Sequence, residues 1–161
     1  MAQNITDLNT QKAYDKEDFH LKGTFIATLK KADGTIETRR KDNLILNGGF
    51  DFIANAIGSS SSRPSVMSYT AVGTGTTAAD ATQTALVTEL ARKAATYAHT
   101  AGTKVFTMTT KFAAGEATGA ITEAGICNAS SGGTFLDRVT FAVINKASDD
   151  ELTTNFQFTL S

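Results

Sequence analysis

The chain has 161 residues and a mass of 17.0 kDa, is 41% apolar, and carries 15 Lys and Arg against 16 Asp and Glu. That length suits one domain able to bury a sizeable core, and the near-neutral charge excludes both a polyanion-coating protein and an acidic disordered one. Apolar runs stay as short as Leu44-Ile45-Leu46 and Phe141-Ala142-Val143-Ile144, too short for a transmembrane helix or a secretory leader, and the lone Cys127 closes no intramolecular disulfide and builds no thiolate zinc cage.

Twenty-six threonines, thirteen glycines, one proline and no tryptophan describe half-exposed β-branched positions separated by frequent turns. Met1–Asp18 is polar, with scattered apolar points at Ile5, Leu8, Ala13 and Tyr14, and reads as an extended arm that a partner orders. From Phe19 the period becomes two: Phe19, Leu21, Phe25, Ala27 and Leu29 alternate with His20, Lys22, Thr24, Thr28 and Lys30. Asp33-Gly34 then predicts a hairpin through a type I′ turn into Thr35–Lys41. Phe50, Ile53, Ala54 and Ile57 fall at helical spacing, with Asn47 as a cap and Gly58 as the stop.

Ser59–Pro64 reads as an exposed loop, Val66–Val72 as a strand, Thr84–Leu90 as a second short helix, and Arg92–His99 as strand-like. Four further strands are expected at Val105–Ala114, Ala120–Asn128, Thr134–Asn145 and Glu151–Ser161. The last sets Leu152, Phe156, Phe158 and Leu160 on one face. About eight such strands without helical crossovers predict an all-β fold: a two-sheet, jelly-roll-like β-sandwich over 19–161, with one or two short helices and the N-terminal arm.

Motifs for chemistry are sparse. Gly73-Thr74-Gly75 lacks the Lys-Ser/Thr of a phosphate loop and the third glycine of the dinucleotide fingerprint, so it reads as a loop leaving a strand. No nucleophile elbow and no zinc-protease motif occurs. Cys127 reads as a buried small hydrophobe, and His20 and His99 as solvated surface residues. Glu89, Glu123, Asp137, Arg92 and Arg138 sit among apolar neighbours; pairing with each other or with turn amides is the leading reading, ahead of a subunit contact or a glycosidase-like carboxylate pair. Lys30, Lys31, Arg39, Arg40 and Lys41 crowd the first hairpin, diluted by Asp33, Glu37 and Asp42. A solvated face is the first reading and protein docking the second. Nucleic acid ranks last, because no stacking aromatics or recognised module accompany the cluster.

Several segments in fixed order carry a resemblance: Asn43-Leu44-Ile45-Leu46-Asn47-Gly48-Gly49, the run Met67–Ala79 with Val72-Gly73-Thr74-Gly75-Thr76-Thr77, then Thr84-Ala85-Leu86 and Glu89-Leu90-Ala91-Arg92. Ala120-Ile121-Thr122-Glu123-Ala124-Gly125-Ile126, Gly132–Phe141 with Leu136-Asp137-Arg138, and the terminal strand Leu152–Leu160 complete it. In these the chain resembles a group of small β-sandwich virion structural proteins of tailed bacteriophages, over about Asn43–Ser161. The resemblance implies assembly and no enzyme activity. The first expectation is a capsid cement or decoration protein on the virion surface, assembled in the bacterial host cytoplasm and bound to the major capsid protein and to itself as a dimer or trimer. No cofactor, metal, nucleic acid or membrane is expected. The partner-binding residues expected in arm and loops are Ile5, Leu8, Tyr14, Arg39, Arg40 and Arg63. A tail, neck or fibre component is the alternative, followed by a carbohydrate-binding module.

Overall fold

The computed structural model describes residues 19–161. Nine strands and one helix follow in chain order: β1 Leu21–Lys30, β2 Ile36–Ile45, α1 Asn47–Gly58, β3 Tyr69–Gly73, β4 Glu89–Ala94, β5 Thr96–His99, β6 Val105–Phe112, β7 Gly119–Cys127, β8 Asp137–Lys146 and β9 Glu151–Leu160. The fold is all-β, as the composition and alternation require. All nine strands join one antiparallel sheet in the order β4-β3-β7-β8-β2-β1-β9-β6-β5.

The sandwich is met only loosely. One leaf is β4-β3-β7-β8 and the other β2-β1-β9-β6-β5, and they are continuous through two residue pairs, Leu44 with Arg138 and Ile45 with Asp137. At the far side the chain passes from β4 to β5 through Ala95 alone, so the two ends of the sheet lie close and the body is nearly a closed, flattened barrel. Consecutive strands pair as hairpins (β1β2, β3β4, β5β6, β7β8), with β9 inserted between β1 and β6. In that connectivity the fold differs from the nested Greek keys of a jelly roll.

The core lies between the leaves. Phe25, Ala27 and Leu29 of β1 and Leu152, Phe156 and Phe158 of β9 are buried, as the period of two predicts. The Phe25 ring lies 4.8 Å from both Phe156 and Phe141, and Phe106 stacks on Phe158 at 4.9 Å. Thr154 shares the inward face of β9, and its hydroxyl donates to the Thr110 carbonyl at 3.4 Å. Thr110 in turn donates to the Thr70 hydroxyl across the core at 2.8 Å, so these buried hydroxyls are partnered. Cys127 is buried beside Leu46, Ala71, Leu86 and Phe135, the small-hydrophobe role expected of it.

Four local expectations are corrected. The first hairpin forms, but Asp33 does not take positive φ. Gly34 N–H donates to the Lys31 carbonyl at 2.9 Å and Gly34 alone is left-handed (φ 87°), which makes a type I turn followed by a glycine bulge. Asp33 instead accepts the Thr35 N–H at 2.8 Å. Phe19 is not part of the buried face; it precedes β1 and is 61% exposed.

Helix α1 is capped at Leu46 without a side-chain bond, and Asn47 is its first residue. Its half-buried positions are Phe52, Ile53 and Ala56, while Phe50, Ala54 and Ile57 are exposed. No helix spans Thr84–Leu90. The Val87 and Thr88 amides are bound by a carboxylate from β7, which holds that segment extended into β4.

The aromatic packing between the leaves yields a stability prediction. Phe156→Ala is expected to cost about 3–5 kcal/mol, because the cavity opens between two rings that have little room to collapse. Urea unfolding of the purified chain measures it.

Candidate functional site

Two of the charged residues singled out from the sequence, Glu123 and Arg138, form the centre of one buried network. Glu123 on β7 and Arg138 on β8 are both fully buried and paired, with Arg138 Nε and Nη2 at 2.9 and 2.7 Å from Glu123 Oε2. The other carboxylate oxygen accepts the Gly75 N–H at 3.0 Å and the Thr88 N–H at 2.7 Å, while Oε2 also takes the Val87 N–H at 3.0 Å. Arg138 spends its remaining donors on Gln83 Oε1 at 2.8 Å and the Thr77 carbonyl at 2.9 Å. Burial opposes the charged form of Glu123, yet the Thr88 and Val87 amides, the Arg138 guanidinium and the Gly75 amide together hold its carboxyl below the ordinary value.

The glycines of Gly73-Thr74-Gly75 are explained by the same group. A Cβ on Gly75 would sit 2.5 Å from Glu123 Oε1, and one on Gly73 2.6 Å from it. The loop approaches an anion closely, as a phosphate loop does, but the anion is the protein's own carboxylate.

A second pair lies nearby. Arg92 holds Glu89 at 2.8 and 2.7 Å and donates to the carbonyls of Ala129 and Gly132, both at 2.8 Å. Its guanidinium lies 5.1 Å from the centroid of the Phe135 ring. Glu123 with Arg138 and Glu89 with Arg92 thus form structural pairs, and the Glu123 carboxylate, tied to three amides and a guanidinium, has no lone pair positioned to take a substrate proton.

Asp137 differs. It stands at the two-pair seam between the leaves, opposite Ile45, and is fully buried. Its Oδ1 accepts the Ile126 N–H at 2.9 Å and its Oδ2 accepts the Asn43 side-chain amide; Asn43 Oδ1 has no partner among the described residues. Among the described residues no cation joins them. Burial pushes the Asp137 carboxyl up to about 7, opposed by the Ile126 amide and by Asn43. Gly23 stands opposite Asn43 on β1, where a Cβ would overlap the Asn43 amide.

Two clefts open on the body. One, of about 460 Å³, is almost wholly apolar; Phe19, Phe52, Ile53, Met67, Tyr97 and Phe106 are among its walls. Phe19 (61%), Val66 (74%) and Tyr97 (60%) are exposed at it. The other, of about 450 Å³, is lined by Arg39, Arg40, Lys41, Thr76, Thr122, Thr140, Phe141 and Ala142. The structure thus brings the predicted contact residues Arg39 and Arg40 together. Arg63 is exposed in the segment between α1 and β3 and lines neither cleft. Ile5, Leu8 and Tyr14 lie outside the described residues. The apolar cleft was missed in sequence because its walls come from seven separate segments; the exposed Phe19 and Tyr97, read as strand residues, were the available signal. Among the described residues no cluster of three His, Cys, Asp or Glu side chains is placed to hold a metal ion, and no helix is long and apolar enough to cross a membrane.

Two predictions arise. Glu123→Ala leaves Arg138 buried without its counter-ion and is expected to cost about 3–5 kcal/mol, with loss of exchange protection at the Gly75, Val87 and Thr88 amides. Urea unfolding and amide exchange read the two effects. For Asp137, burial holds the folded carboxyl above the ordinary 3.8. The folded state then binds the extra proton, so this group's stability is complete below 3.8 and is lost as pH rises through about 7. Urea midpoints at pH 5, 6, 7 and 8 are expected to fall for the wild type relative to Asp137→Asn, which keeps an acceptor for the Ile126 amide but does not titrate.

No family model, no curated protein and no solved structure matches the chain, so its function is argued from its own residues.

Proposed function

We propose that this chain is a virion structural protein of a tailed bacteriophage, a capsid cement or decoration protein that acts by binding and not by catalysis. One observation carries the reading: several of the segments on which the bacteriophage resemblance rests meet in a single network. Val72–Thr77 supplies the Gly75 amide and the Thr77 carbonyl, and the residues that join Thr84-Ala85-Leu86 to Glu89-Leu90-Ala91-Arg92 supply the Val87 and Thr88 amides. Ala120–Ile126 supplies Glu123, and Gly132–Phe141 supplies Arg138. Motifs that lock loops to a sheet mark a scaffold, and a scaffold is what an assembly protein needs.

The rest of the surface supports docking. An apolar cleft edged by exposed Phe19, Val66 and Tyr97 opens where Met1–Asp18 joins the body. Met1–Asp18 is proposed as an arm that reaches a neighbouring capsid subunit; eighteen residues span about 60 Å at most when extended. Ile5, Leu8 and Tyr14 are its proposed anchors, and the body itself, 19–161, forms the decorating domain. Binding only the assembled lattice stabilises it by mass action, by about 2.7 kcal/mol per site at a hundred times the dissociation constant. The proposed partners are the major capsid protein and further copies of this chain, and the proposed location is the capsid surface.

The experiment is a copy count on purified particles with a truncation. Hundreds of copies per particle are expected, and deletion of Met1–Asp18 is expected to leave a folded body that no longer sediments with capsids. A count of three, six or twelve moves the protein to the tail or neck, and undiminished capsid binding by the truncated chain removes the arm from the mechanism.

A further inference from the structure

Strand β2 is paired with β1 along its length and with β8 only at its end. Its residues Ile36–Asn43 match β1 from Lys30 to Gly23, whereas β8 pairs with β2 only at Leu44 and Ile45 and runs beside it without a ladder beyond them. About 26 Å of the β8-facing edge, at roughly 3.3 Å per residue, therefore has no ladder partner. On the facing side β8 bulges. Its pairs with β7 jump from Glu123 with Thr140 to Ile121 with Ile144, which leaves Phe141, Ala142 and Val143 opposite one residue of β7. The bulge turns Phe141 onto Phe25 in the core and opens the basic cleft between the two strands. Arg39 spans that opening by a side chain, donating to the Val143 carbonyl at 3.2 Å, where backbone pairing is absent.

The lining of this cleft has three cations and no carboxylate. Register places Lys41 opposite Phe25 and Arg39 opposite Ala27, so these two cations stand on the core-facing side of β2 and Arg40 on the other. Arg39 lies 3.6 Å from Glu37, while Arg40 and Lys41 have no ion pair among the described residues. We infer that the unladdered edge of β2 is a docking site for an extended acidic segment of a partner protein, which adds a strand along Ile36–Asn43 and sets carboxylates against Arg39 and Lys41. Main-chain hydrogen bonds supply affinity in such strand addition, and side-chain charge supplies selection.

The same cations explain why apolar strands do not add there, since inward-facing charge is a device that guards an open edge. Matching carboxylates lift that guard. A protein segment fits better than single-stranded nucleic acid, because the cleft's one aromatic, Phe141, is committed to Phe25 and offers no face to a base. The inference stands apart from the virion reading, since it concerns one strand edge whatever particle or complex the partner belongs to.

The test uses the full chain and synthetic ten-residue peptides: alternating Glu and Val, alternating Lys and Val, and the Glu peptide N-methylated at every second amide. The expected result is binding of the Glu peptide at least tenfold tighter than either control, with new exchange protection confined to Ile36–Asn43. Lys41→Glu and Arg39→Glu, on the face that meets the carboxylates, are expected to weaken it tenfold or more together, whereas Arg40→Glu on the other face is expected to weaken it less, and added salt to weaken it further. No binding, equal binding of the N-methylated or Lys peptide, or protection elsewhere overturns the inference. Tighter binding of an oligothymidylate at the same cleft overturns it in favour of nucleic acid.

Discussion

The buried carboxylate of Glu123 is the constraint on which the rest of this protein depends. A charge at that depth is tolerated only when its hydrogen-bonding capacity is filled, and here three backbone amides and a guanidinium fill it. The partners come from the one long connection between β3 and β4 and from β8, so one side chain decides the path of the segment that joins those two strands. That connection would otherwise present unpaired amides to the interior. The glycines at 73 and 75 follow from the same packing, because a Cβ at either position would overlap the Glu123 carboxylate.

The continuity of the sheet has a different character. The leaves meet at two residue pairs, beside a carboxyl with no cation among the described residues, and separate beyond them. At that separation the β8 bulge and the charged inner face of β2 keep the strands apart, where an apolar β2 would close onto β8. A nearly closed barrel thus keeps the β8-facing edge of β2 without a ladder, lined with cations. A second surface, around Phe19 and Tyr97, is apolar and exposed. The body thus presents two surfaces of contrasting chemistry, one basic and one apolar.

Much of the fold was legible in the residues. Strands with one buried face, such as Phe25-Ala27-Leu29 and Phe156-Phe158, announce themselves by period alone, because side chains alternate across a sheet. The pairing of Glu123 and Arg138 was foreseeable in kind from the cost of burying charge. What escaped was everything set by another segment. Thr84–Leu90 has helical spacing, but amides bound to a distant carboxylate cannot also close a helix. Asp33-Gly34 has the composition of a type I′ turn, yet Asp33 gains a bond to the Thr35 amide in another conformation. Phe50 and Ile57 fit a helical stripe, but the sheet meets α1 along Phe52, Ile53 and Ala56, one step round the helix.

By itself, then, the sequence determined the class, the positions of most strands and the burial of Cys127, because burial preference and alternation are local properties that neighbours do not revoke. Only the tertiary structure decided that the two leaves are one sheet, that Arg39, Arg40 and Lys41 line a cleft beside an unladdered edge, and that Asp137 lies buried with no cation among the described residues. Each of those depends on which strand edges meet across a hundred residues of chain, and register between distant strands is chosen by packing and bulges that no single stretch of sequence contains.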